Sequence, residues 1–526
     1  MTVKLREEVL DEAAVGQPSS SNTVDDRFVV GTGSAARRSV NVSASSFASS
    51  RRGRGVVRSV FDMAALVTAI LVSYPLAESV RWVLLEVWTP IPLAALASAT
   101  VMLLVVPAFV VLGCAAFEGH YTRRRPFWSE TYDQLLSLVV SAAVIAFVLF
   151  ATKIDFSRTW TLCFLATASV MLPVGRVFSR RWLTARGSWK LPTLIIDDSN
   201  IAYENALGVT AQPDLGLLPV MRLALDDESQ IDALADALER FDSTGHAVEG
   251  PFGLLAERPH LIVSVQHMDS LIAAKPRFDR LMQACPVLTF LPPISGLPLY
   301  RSELIPLFRR DNVMIRLQNR HRRLSSRFIK RSVDLVLGIL LVVVLSPVLG
   351  VLALLVRRDG GQAVFSHERI GEGGRRFKCL KFRTMVCDAE QRLQSLLDSD
   401  PDAALSWERD HKLKDDPRIT SIGRFLRKTS LDELPQLLNV LRGEMSLVGP
   451  RPIVADEIIR YGVAYDYYRQ ARPGMTGLWQ ISGRNDVSYA ERVRLDVWYA
   501  RNWSPWLDIV LLFKTFPIVF RRDGAY

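Results

Sequence analysis

The sequence predicts a membrane protein with three structured parts: an α-helical membrane bundle, a Rossmann-like α/β domain, and a membrane-anchored α-rich (α+β) domain with a re-entrant helix. Three observations predict this organisation. The chain has 526 residues, enough for two or three domains, and 49% of them are hydrophobic. Apolar runs of bilayer length alternate with basic connections. Much of the net charge of +10 comes from arginines beside apolar segments, which favours anionic lipid and phosphate as partners over nucleic acid.

The N-terminal part begins with a polar segment and continues with apolar runs. Residues 1–55 are rich in Ser, Ala and Arg, which predicts a disordered cytoplasmic tail without a cleavable signal peptide. Residues 56–186 predict a four-helix transmembrane bundle. Its four apolar runs are Val60–Ala77, Ile91–Phe117, Leu135–Thr152 and Thr159–Gly175. Arginines precede the first run and follow the second and the fourth, so the positive-inside rule places both ends of the bundle in the cytoplasm.

Residues 187–320 predict a Rossmann-like α/β domain. Strand-like runs at Thr193–Ile196, Leu261–Val265 and Val287–Phe290 alternate with helical stretches such as Ile231–Phe241. Such a domain often binds a dinucleotide, but the first strand runs into IIDDSN, which lacks the Gly-x-Gly-x-x-Gly turn. A structural or regulatory module is therefore favoured over a cofactor site.

Residues 321–361 contain an apolar stretch, Leu340–Val356, that is interrupted by Ser346 and Pro347. Pro347 has no N–H and its ring clashes with the carbonyl four residues earlier, so we expect a kink, where Ser346 can satisfy part of the freed backbone. Basic clusters precede and follow the stretch, and a simple span would leave one of them outside the cytoplasm. We therefore predict a re-entrant helix that dips into one leaflet and returns. An ordinary kinked span is the alternative.

Residues 362–526 hold dense motifs of Gly, Pro, Arg, Lys and acidic residues, the types that bind phosphate and metal. The spacing Ser430-x-x-Glu433 predicts a capping box that opens a helix. Alternatively, Asp432 is the N-cap and Pro435 lies in the first turn. Four leucines predict the apolar face of this helix: Leu434, Leu437, Leu438 and Leu441. In either register Asp432 lies at the positive end of a helix, which predicts an ionised carboxylate at neutral pH.

The pair Asp432 and Glu433 is the strongest chemical signal in this part of the chain. An ionised carboxylate beside a second one forms a site for a divalent cation, and it is also a usable nucleophile toward phosphorus. Arginines nearby in the sequence can hold phosphate oxygens. The residues themselves therefore predict phosphoryl transfer as the class of chemistry.

Three motifs resemble the bacterial sugar transferase family, the monotopic phosphoglycosyl transferases. They are KFRTM, DPRITSIGRFLRKTSLDELPQLLNVLRGEMSLVGPRP and RPGMTGLWQISGR. The resemblance covers residues 330–526 and implies a monotopic transferase domain, whose family carries a Ser-Pro break matching Ser346 and Pro347. The bundle and the α/β domain resemble the large members, which transfer a hexose-1-phosphate to a polyprenyl phosphate. The closing WYARNWSPWLDIVLL and GAY are most similar to the galactose-1-phosphate branch.

The resemblance implies a two-step reaction that starts an exopolysaccharide, capsule or O-antigen repeat. Asp432 attacks a UDP-hexose, UMP leaves, and the phosphosugar passes from the enzyme to undecaprenyl phosphate. Glu433, next to Asp432, is implied to bind Mg²⁺. The implied phosphate contacts are Lys381, Arg383, Arg427, Arg451 and Arg484. Lys381 and Arg383 alternate with Phe382 in a possible strand, so one of the two can instead be a solvated surface residue.

The resemblance further implies a homodimer in the bacterial inner (cytoplasmic) membrane, with the catalytic domain on the cytoplasmic face. UDP-galactose and UDP-glucose both remain open as donors. A polytopic transferase is disfavoured because the sequence has no Asp-Asp-x-x-Asp motif. The remaining alternative is a non-enzymatic membrane transporter or polysaccharide-assembly regulator, which predicts that Asp432→Asn leaves function intact.

Overall fold

The computed structural model describes residues 51–84, 93–152, 157–244, 259–285, 287–294, 302–307, 312–316, 323–400, 416–483 and 487–521, and positions 297 and 321. The chain divides into two compact units, and the boundary falls between Ile294 and Ser295. Most of the predicted tail and the candidate residue Arg484 lie outside the described residues.

The four apolar runs of the N-terminal part form four helices, as predicted. They are α1 (Arg51–Leu84), α2 (Leu93–Phe117), α3 (Phe127–Thr152) and α4 (Arg158–Ala185). The first helix begins within the segment that the sequence assigns to the tail. Of these helices, α1, α3 and α4 are long and apolar enough to cross a bilayer over the parts that the structure describes.

The bundle is held together by close packing of α1 against α4 and by buried ion pairs, of which Asp62 and Arg176 form one. A Cβ at Gly175 of α4 would lie 3.1 Å from the Phe61 carbonyl oxygen of α1, so the small residue lets the two helices approach. Asp62 of α1 is fully buried, and its Oδ2 lies 2.6 Å from Nη2 of Arg176. The Tyr121 hydroxyl donates to the same oxygen at 2.8 Å. These partners explain how a carboxylate is tolerated in an apolar run.

The rest of the first unit is an α/β domain with a parallel sheet, as predicted. Its elements are β1 (Leu191–Asp197), α5 (Asn200–Thr210), β2 (Leu217–Ala224), α6 (Glu228–Thr244), β3 (His260–Ser264), α7 (Met268–Ala273), α8 (Lys275–Ala284) and β4 (Leu288–Leu291). The strand order is β2-β1-β3-β4, and every pair is parallel. Strand β2 was not predicted, because it contains Pro219. The strand lies at the edge of the sheet, where proline is tolerated.

At the carboxyl edge of this sheet, a side chain accepts hydrogen bonds from the protein's own backbone. Asp198, directly after β1, accepts the backbone N–H groups of Gln266 at 2.8 Å and of His267 at 3.4 Å, just beyond β3. Burial raises the pKa of Asp198, but these donors outweigh it and bring the pKa below its usual value. In doubly wound sheets, ligands bind in the crevice at the carboxyl ends of the strands. Here the Asp198 carboxylate accepts N–H groups that a bound phosphate would otherwise accept.

The second unit carries one long membrane helix and several short elements. They are β5 (Glu303–Leu307), β6 (Asn312–Arg316), α9 (Leu324–Val356), β7 (Val364–Ile370), β8 (Arg376–Phe382), α10 (Ala389–Ser399), α11 (Ser421–Thr429), α12 (Gln436–Arg442), β9 (Ser446–Val448), α13 (Glu457–Tyr461), α14 (Tyr465–Tyr468), β10 (Gly474–Thr476), α15 (Leu478–Ile481), α16 (Tyr489–Asn502) and α17 (Pro505–Arg521). Strands β5–β6 and β7–β8 pair antiparallel, and β9–β10 pair parallel.

The apolar helix α9 contains the predicted Ser-Pro interruption. Pro347 cannot donate to the carbonyl four residues earlier, which belongs to Val343. The Ser346 hydroxyl donates to that same carbonyl at 2.8 Å. The predicted role of Ser346 is thereby confirmed, since it satisfies the backbone acceptor that the proline leaves unpaired.

Both ends of α9 pack on the same domain. Near its beginning, Lys330 Nζ donates to Asp508 of α17 at 2.7 Å, and Asp334 accepts the Ser446 hydroxyl of β9 at 2.9 Å. Near its end, the buried residues Leu352 and Val356 pack in one cluster with Phe382 of β8 and Leu426 of α11. The middle of the helix is different, since its apolar side chains are largely exposed. They include Ile339, Leu340, Val343, Val344, Val348 and Val351.

Candidate active site

The site begins where β8 meets the short 3₁₀ turn Leu431–Glu433. Lys381 lies in β8 as predicted, beside the buried Phe382. Its Nζ lies 2.7 Å from Glu433 Oε1 and 3.6 Å from Asp432 Oδ2. The structure therefore brings Lys381 and both acidic residues together from segments about 50 positions apart in the chain.

The backbone around the acidic pair differs from both predicted registers. Ser430 has a φ of 55° and is the only non-glycine residue with positive φ in the part of the chain that the structure describes. It ends α11, its side chain caps nothing, and the next helix, α12, has Pro435 as its N-cap. Ser430 is the N-cap residue of the 3₁₀ turn, but it forms no capping box with Glu433 and does not open α12. The alternative prediction of Asp432 as N-cap was wrong. The left-handed Ser430 starts a 3₁₀ turn, which presents Asp432 and Glu433 between two helices.

The electrostatics of the acidic pair are set by burial and by Lys381. Burial raises the pKa of Asp432, and the Lys381 ammonium opposes that rise. The net direction is upward, opposite to the one that the helix-terminus argument predicts. For Lys381, burial lowers the pKa, but the charges of Glu433 and Asp432 outweigh it and raise the pKa above its usual value. Lys381 therefore remains an ammonium ion beside the two carboxyl groups.

Asn439 of α12 fixes the relative position of the two elements that carry the site. Its Oδ1 accepts the Leu380 N–H at 3.0 Å, and its Nδ2 donates to the Lys378 carbonyl at 2.8 Å and to Glu444 at 2.6 Å. The side chain thus pairs with the edge of β8 as a neighbouring strand would. Sequence reasoning missed this role, although a lone amide within LLNVL is the signal that points to it.

The buried face of α12 also differs from the predicted leucine face. Leu437 is buried as predicted, but Leu438 is 43% exposed. Gln436, Asn439 and Val440 take the remaining buried positions. The helix spans only two turns and packs on both β8 and α9, so Gln436 and Asn439 are buried at positions that the predicted leucine face did not include.

The predicted phosphate contacts lie in different surroundings. Arg427 donates through Nε to the Thr384 hydroxyl at 2.9 Å. Arg383 donates through Nη2 to the Val356 carbonyl at 3.0 Å and through Nη1 to the sulfur of Cys387 at 2.8 Å. It thereby binds the last turn of α9.

Arg451 lies on another side of the domain, in the turn that follows β9. Its Nη1 is 3.8 Å from Glu457 Oε1, and its guanidinium carbon lies 5.9 Å from the ring centre of Trp479. Arg492 lies over the same ring at 4.7 Å. Arg451 is not among the residues that line the cavity described next, whereas the indole of Trp479 lines it.

A cavity of about 1510 Å³ connects these groups, and its wall has two kinds of surface. One part is polar and includes Lys381, Thr384, Arg427, Asp432 and Glu433. The other part is apolar and includes Leu341 and Leu345 of α9, Leu437, Met475, Ile481 and Leu512. The sequence analysis did not assign roles to Thr384 or Trp479, because their partners are distant in the chain. A site with both surfaces can hold a charged group and an aliphatic chain together.

The acidic pair fits Mg²⁺ only in combination with a phosphate ligand. Among the residues that the structure describes, no group of three or more His, Cys, Asp or Glu side chains is placed to hold a metal ion. Mg²⁺ is usually held by one or two carboxylates together with substrate phosphates and water. Asp432 and Glu433 supply two such carboxylates at the polar end of the cavity.

The fold and the site define a membrane-associated enzyme of the phosphoglycosyl transferase class. A family model described as bacterial sugar transferase matches residues 325–522. The chain is 42% identical over 409 residues to UDP-galactose-lipid carrier transferase of Erwinia amylovora, a match that covers 77% of this chain and 84% of that protein. It is 41% identical over 421 residues to undecaprenyl-phosphate galactose phosphotransferase of Salmonella typhimurium, with the same coverage. The chain therefore belongs to the bacterial sugar transferase family.

A further relative is shorter. Exopolysaccharide production protein ExoY of Sinorhizobium fredii is 54% identical over 198 residues, which are 38% of this chain and 88% of that protein. The resemblance predicted from the three sequence motifs is confirmed by these matches.

Replacing Asn439 with Ala is expected to loosen the site. The substitution leaves the Leu380 N–H and the Lys378 carbonyl without partners, each of which costs about 1–3 kcal/mol when buried. We expect a lower midpoint in thermal denaturation of the purified protein. The exposed neighbour offers a matched control, since Leu438→Ala should change the midpoint much less. Equal effects of the two substitutions would contradict the bridging role.

Proposed function

We propose that this enzyme transfers a hexose-1-phosphate from a UDP-hexose to undecaprenyl phosphate through a phosphosugar bound to Asp432. One observation carries the proposal: Asp432 lies beside Lys381 in the wall of a cavity that is also lined by apolar residues of α9. The names of these two relatives support the lipid acceptor and a galactose donor. A relative from Caulobacter vibrioides is named for UDP-glucose and glucose-1-phosphate, so glucose is the second donor to test.

The proposed reaction has two displacement steps at the same phosphorus atom. In the first, an Oδ atom of Asp432 attacks the β-phosphorus of the UDP-hexose. The bond to the bridging oxygen breaks, and UMP leaves with that electron pair. In the second, a phosphate oxygen of undecaprenyl phosphate attacks the phosphorus of the acyl phosphate. The bond to Asp432 breaks and the carboxylate is restored, so charge balances in each step without a net proton transfer.

Charged side chains of the cavity prepare these steps. Lys381 stabilises the ionised form of Asp432 against burial and offers N–H donors to phosphate oxygens. Arg427, oriented by Thr384, is the second cation of the polar wall that we assign to phosphate binding. Asp432 and Glu433 would hold Mg²⁺, which supplies charge neutralisation of the diphosphate.

The re-entrant course of α9 is part of the proposal and is supported by its contacts. An ordinary span carries its two ends to opposite sides of a hydrocarbon layer about 30 Å thick. In α9, however, Lys330 and Asp334 at one end and Leu352 and Val356 at the other pack on the same domain. The exposed apolar middle, with Pro347 inside it, suits insertion into one leaflet. The site then faces the cytoplasm at the inner membrane, where a soluble donor and a lipid phosphate meet.

A homodimer and a role in starting exopolysaccharide, capsule or O-antigen repeats complete the proposal. The name of the Sinorhizobium relative supports the link to exopolysaccharide. The competing hypothesis is a transporter or assembly regulator, in which the acidic pair does no chemistry.

Asp432→Asn should abolish transfer. Membranes that contain the protein are incubated with undecaprenyl phosphate, Mg²⁺ and a panel of UDP-sugars, and UMP release is measured. Because the amide is a poor nucleophile, we expect the rate to fall by roughly 10³-fold or more. The wild-type protein should also bind labelled phosphosugar covalently when the acceptor is omitted. If the variant releases UMP as fast as wild type, Asp432 is not the nucleophile and the competing hypothesis gains support.

Lys381→Met should shift the acid limb of the pH–rate profile. Transfer needs ionised Asp432, so the rate rises with pH through the pKa of this residue. Lys381 lowers that pKa, and its removal therefore moves the acid limb to higher pH. Lys381→Arg keeps the positive charge and should leave the acid limb in place even if the maximal rate falls. An unmoved limb in the Met variant would show that Lys381 does not tune Asp432.

Both ends of α9 should be cytoplasmic. Single cysteines at Ser325 and Arg358 are introduced into a variant whose exposed native thiols Cys114 and Cys387 are replaced by serine. A membrane-impermeant maleimide should label neither cysteine on intact cells and both after permeabilisation. Trp82→Cys, near the end of α1 that the positive-inside rule places outside, should be labelled on intact cells. Labelling of only one end of α9 on intact cells would establish an ordinary span.

A further inference from the structure

A second cavity, of about 700 Å³, lies within the first unit and has no part in the chemistry above. It is formed by the last turns of α4, the start of α3, and the beginning of β2 in the α/β domain. Phe127 and Val177 give it an apolar wall, and Arg180, Arg181 and Lys190 give it a cationic one. A cavity of this size accommodates a small ligand or a lipid headgroup.

Arg180 is the buried cation of this wall. Its side chain is only 10% exposed, and Nη2 lies 2.8 Å from Glu130 Oε2. Nη1 lies 3.3 Å from Asp214 Oδ1, whose side chain is half exposed. Nε of Arg180 is buried and makes no hydrogen bond with any residue that the structure describes, and Nη1 lies close to Asp214 without hydrogen-bond geometry. Buried guanidinium N–H groups are normally bonded, so these donors call for an acceptor.

The surroundings of Arg180 carry an excess of positive charge. Trp189 lies on the cavity wall, and the guanidinium carbons of Arg124, Arg180 and Arg58 lie 3.8, 5.4 and 6.0 Å from its ring centre. Glu130 is the buried carboxylate that Arg58 and Arg180 share. Asp214 is a second carboxylate beside Arg180. Arg58, Arg124 and Arg180, together with Arg181 and Lys190 of the cavity wall, still outnumber these two carboxylates, and an anion in the cavity would reduce the imbalance.

The position of the cavity identifies the source of that anion. It lies at the basic end of α4, where the helix leaves the bilayer, and basic pockets between membrane helices at this depth bind the phosphate of anionic lipid headgroups. Arg181 and Lys190 are exposed and line the entrance, while Phe127 and Val177 offer apolar surface for the start of an acyl chain.

We infer that this cavity binds the phosphate of an anionic phospholipid through Arg180, Arg181 and Lys190. The site is separate from the catalytic cavity, and the inference does not depend on the proposed reaction. Binding there would attach the α/β domain and the bundle to the anionic leaflet at one point.

The test uses the full-length protein in detergent, titrated with short-chain phosphatidylglycerol, with bound lipid counted by native mass spectrometry. The double variant Arg181→Gln/Lys190→Gln should bind about 30-fold more weakly, since each basic residue near the membrane surface contributes about 1 kcal/mol. Phosphatidylcholine should bind weakly to the wild type. Glycerol phosphate, a soluble phosphate ester that resembles the headgroup, tests whether the site needs a lipid. If glycerol phosphate binds as tightly as phosphatidylglycerol, the lipid assignment is overturned.

Two single variants distinguish lipid binding in the cavity from lipid binding through general surface charge. Arg186→Gln removes an equally exposed cation that stacks on Trp182 and does not line the cavity, so phosphatidylglycerol should bind as tightly as to wild type. Thr184→Trp fills the cavity without changing charge and should weaken binding. Loss of binding in Arg186→Gln to the same extent as in the double variant, or unchanged binding in Thr184→Trp, would overturn the inference.

Discussion

The packing of both ends of α9 on one domain is the constraint on which the catalytic unit depends. At the first end, Lys330 and Asp334 bond to α17 and β9, and at the second end Arg383 donates to the carbonyl of Val356 in the last turn. Arg383 directly follows β8, so the end of the membrane helix is tied to the strand that carries Lys381. Any change in the course of α9 therefore acts on the strand that carries Lys381.

Strand β8 connects these contacts of α9 to the residues of the candidate site. On one edge it pairs with β7, and on the other its Lys378 and Leu380 backbone groups bond to the buried Asn439 of α12. Helix α12 follows the turn that contains Asp432. The separation between the Lys381 ammonium and the Asp432 carboxyl group is consequently fixed by backbone hydrogen bonds, which are more rigid than the contact between two flexible charged side chains. The carboxyl group can then remain partly buried.

The elements that depend on local sequence patterns were predicted correctly. The features that depend on contacts between residues distant in the chain were not. The four apolar helices, the parallel sheet and the bond of Ser346 follow from run length, alternation and the missing proline N–H. The N-cap of α12 was mispredicted because Ser430 adopts a left-handed conformation, which spacing alone does not reveal. The role of Asn439 was missed for a related reason, since its partners lie about 60 residues earlier in the chain. The motifs were enough to select Asp432 as a candidate site residue. The direction of its pKa shift, in contrast, could be derived only from the folded structure.

In the reaction that we propose, the environment of Asp432 must meet two opposing requirements of a carboxylate nucleophile. A fully hydrated carboxylate is ionised at neutral pH but is a weak nucleophile, because water must be removed before it can attack. A buried carboxylate without a partner would be protonated and inert. Here burial raises the pKa of Asp432 while Lys381, shared with Glu433, limits the rise. Because Lys381 is shared and lies closer to Glu433 than to Asp432, Asp432 keeps basicity that a tighter ion pair of its own would remove.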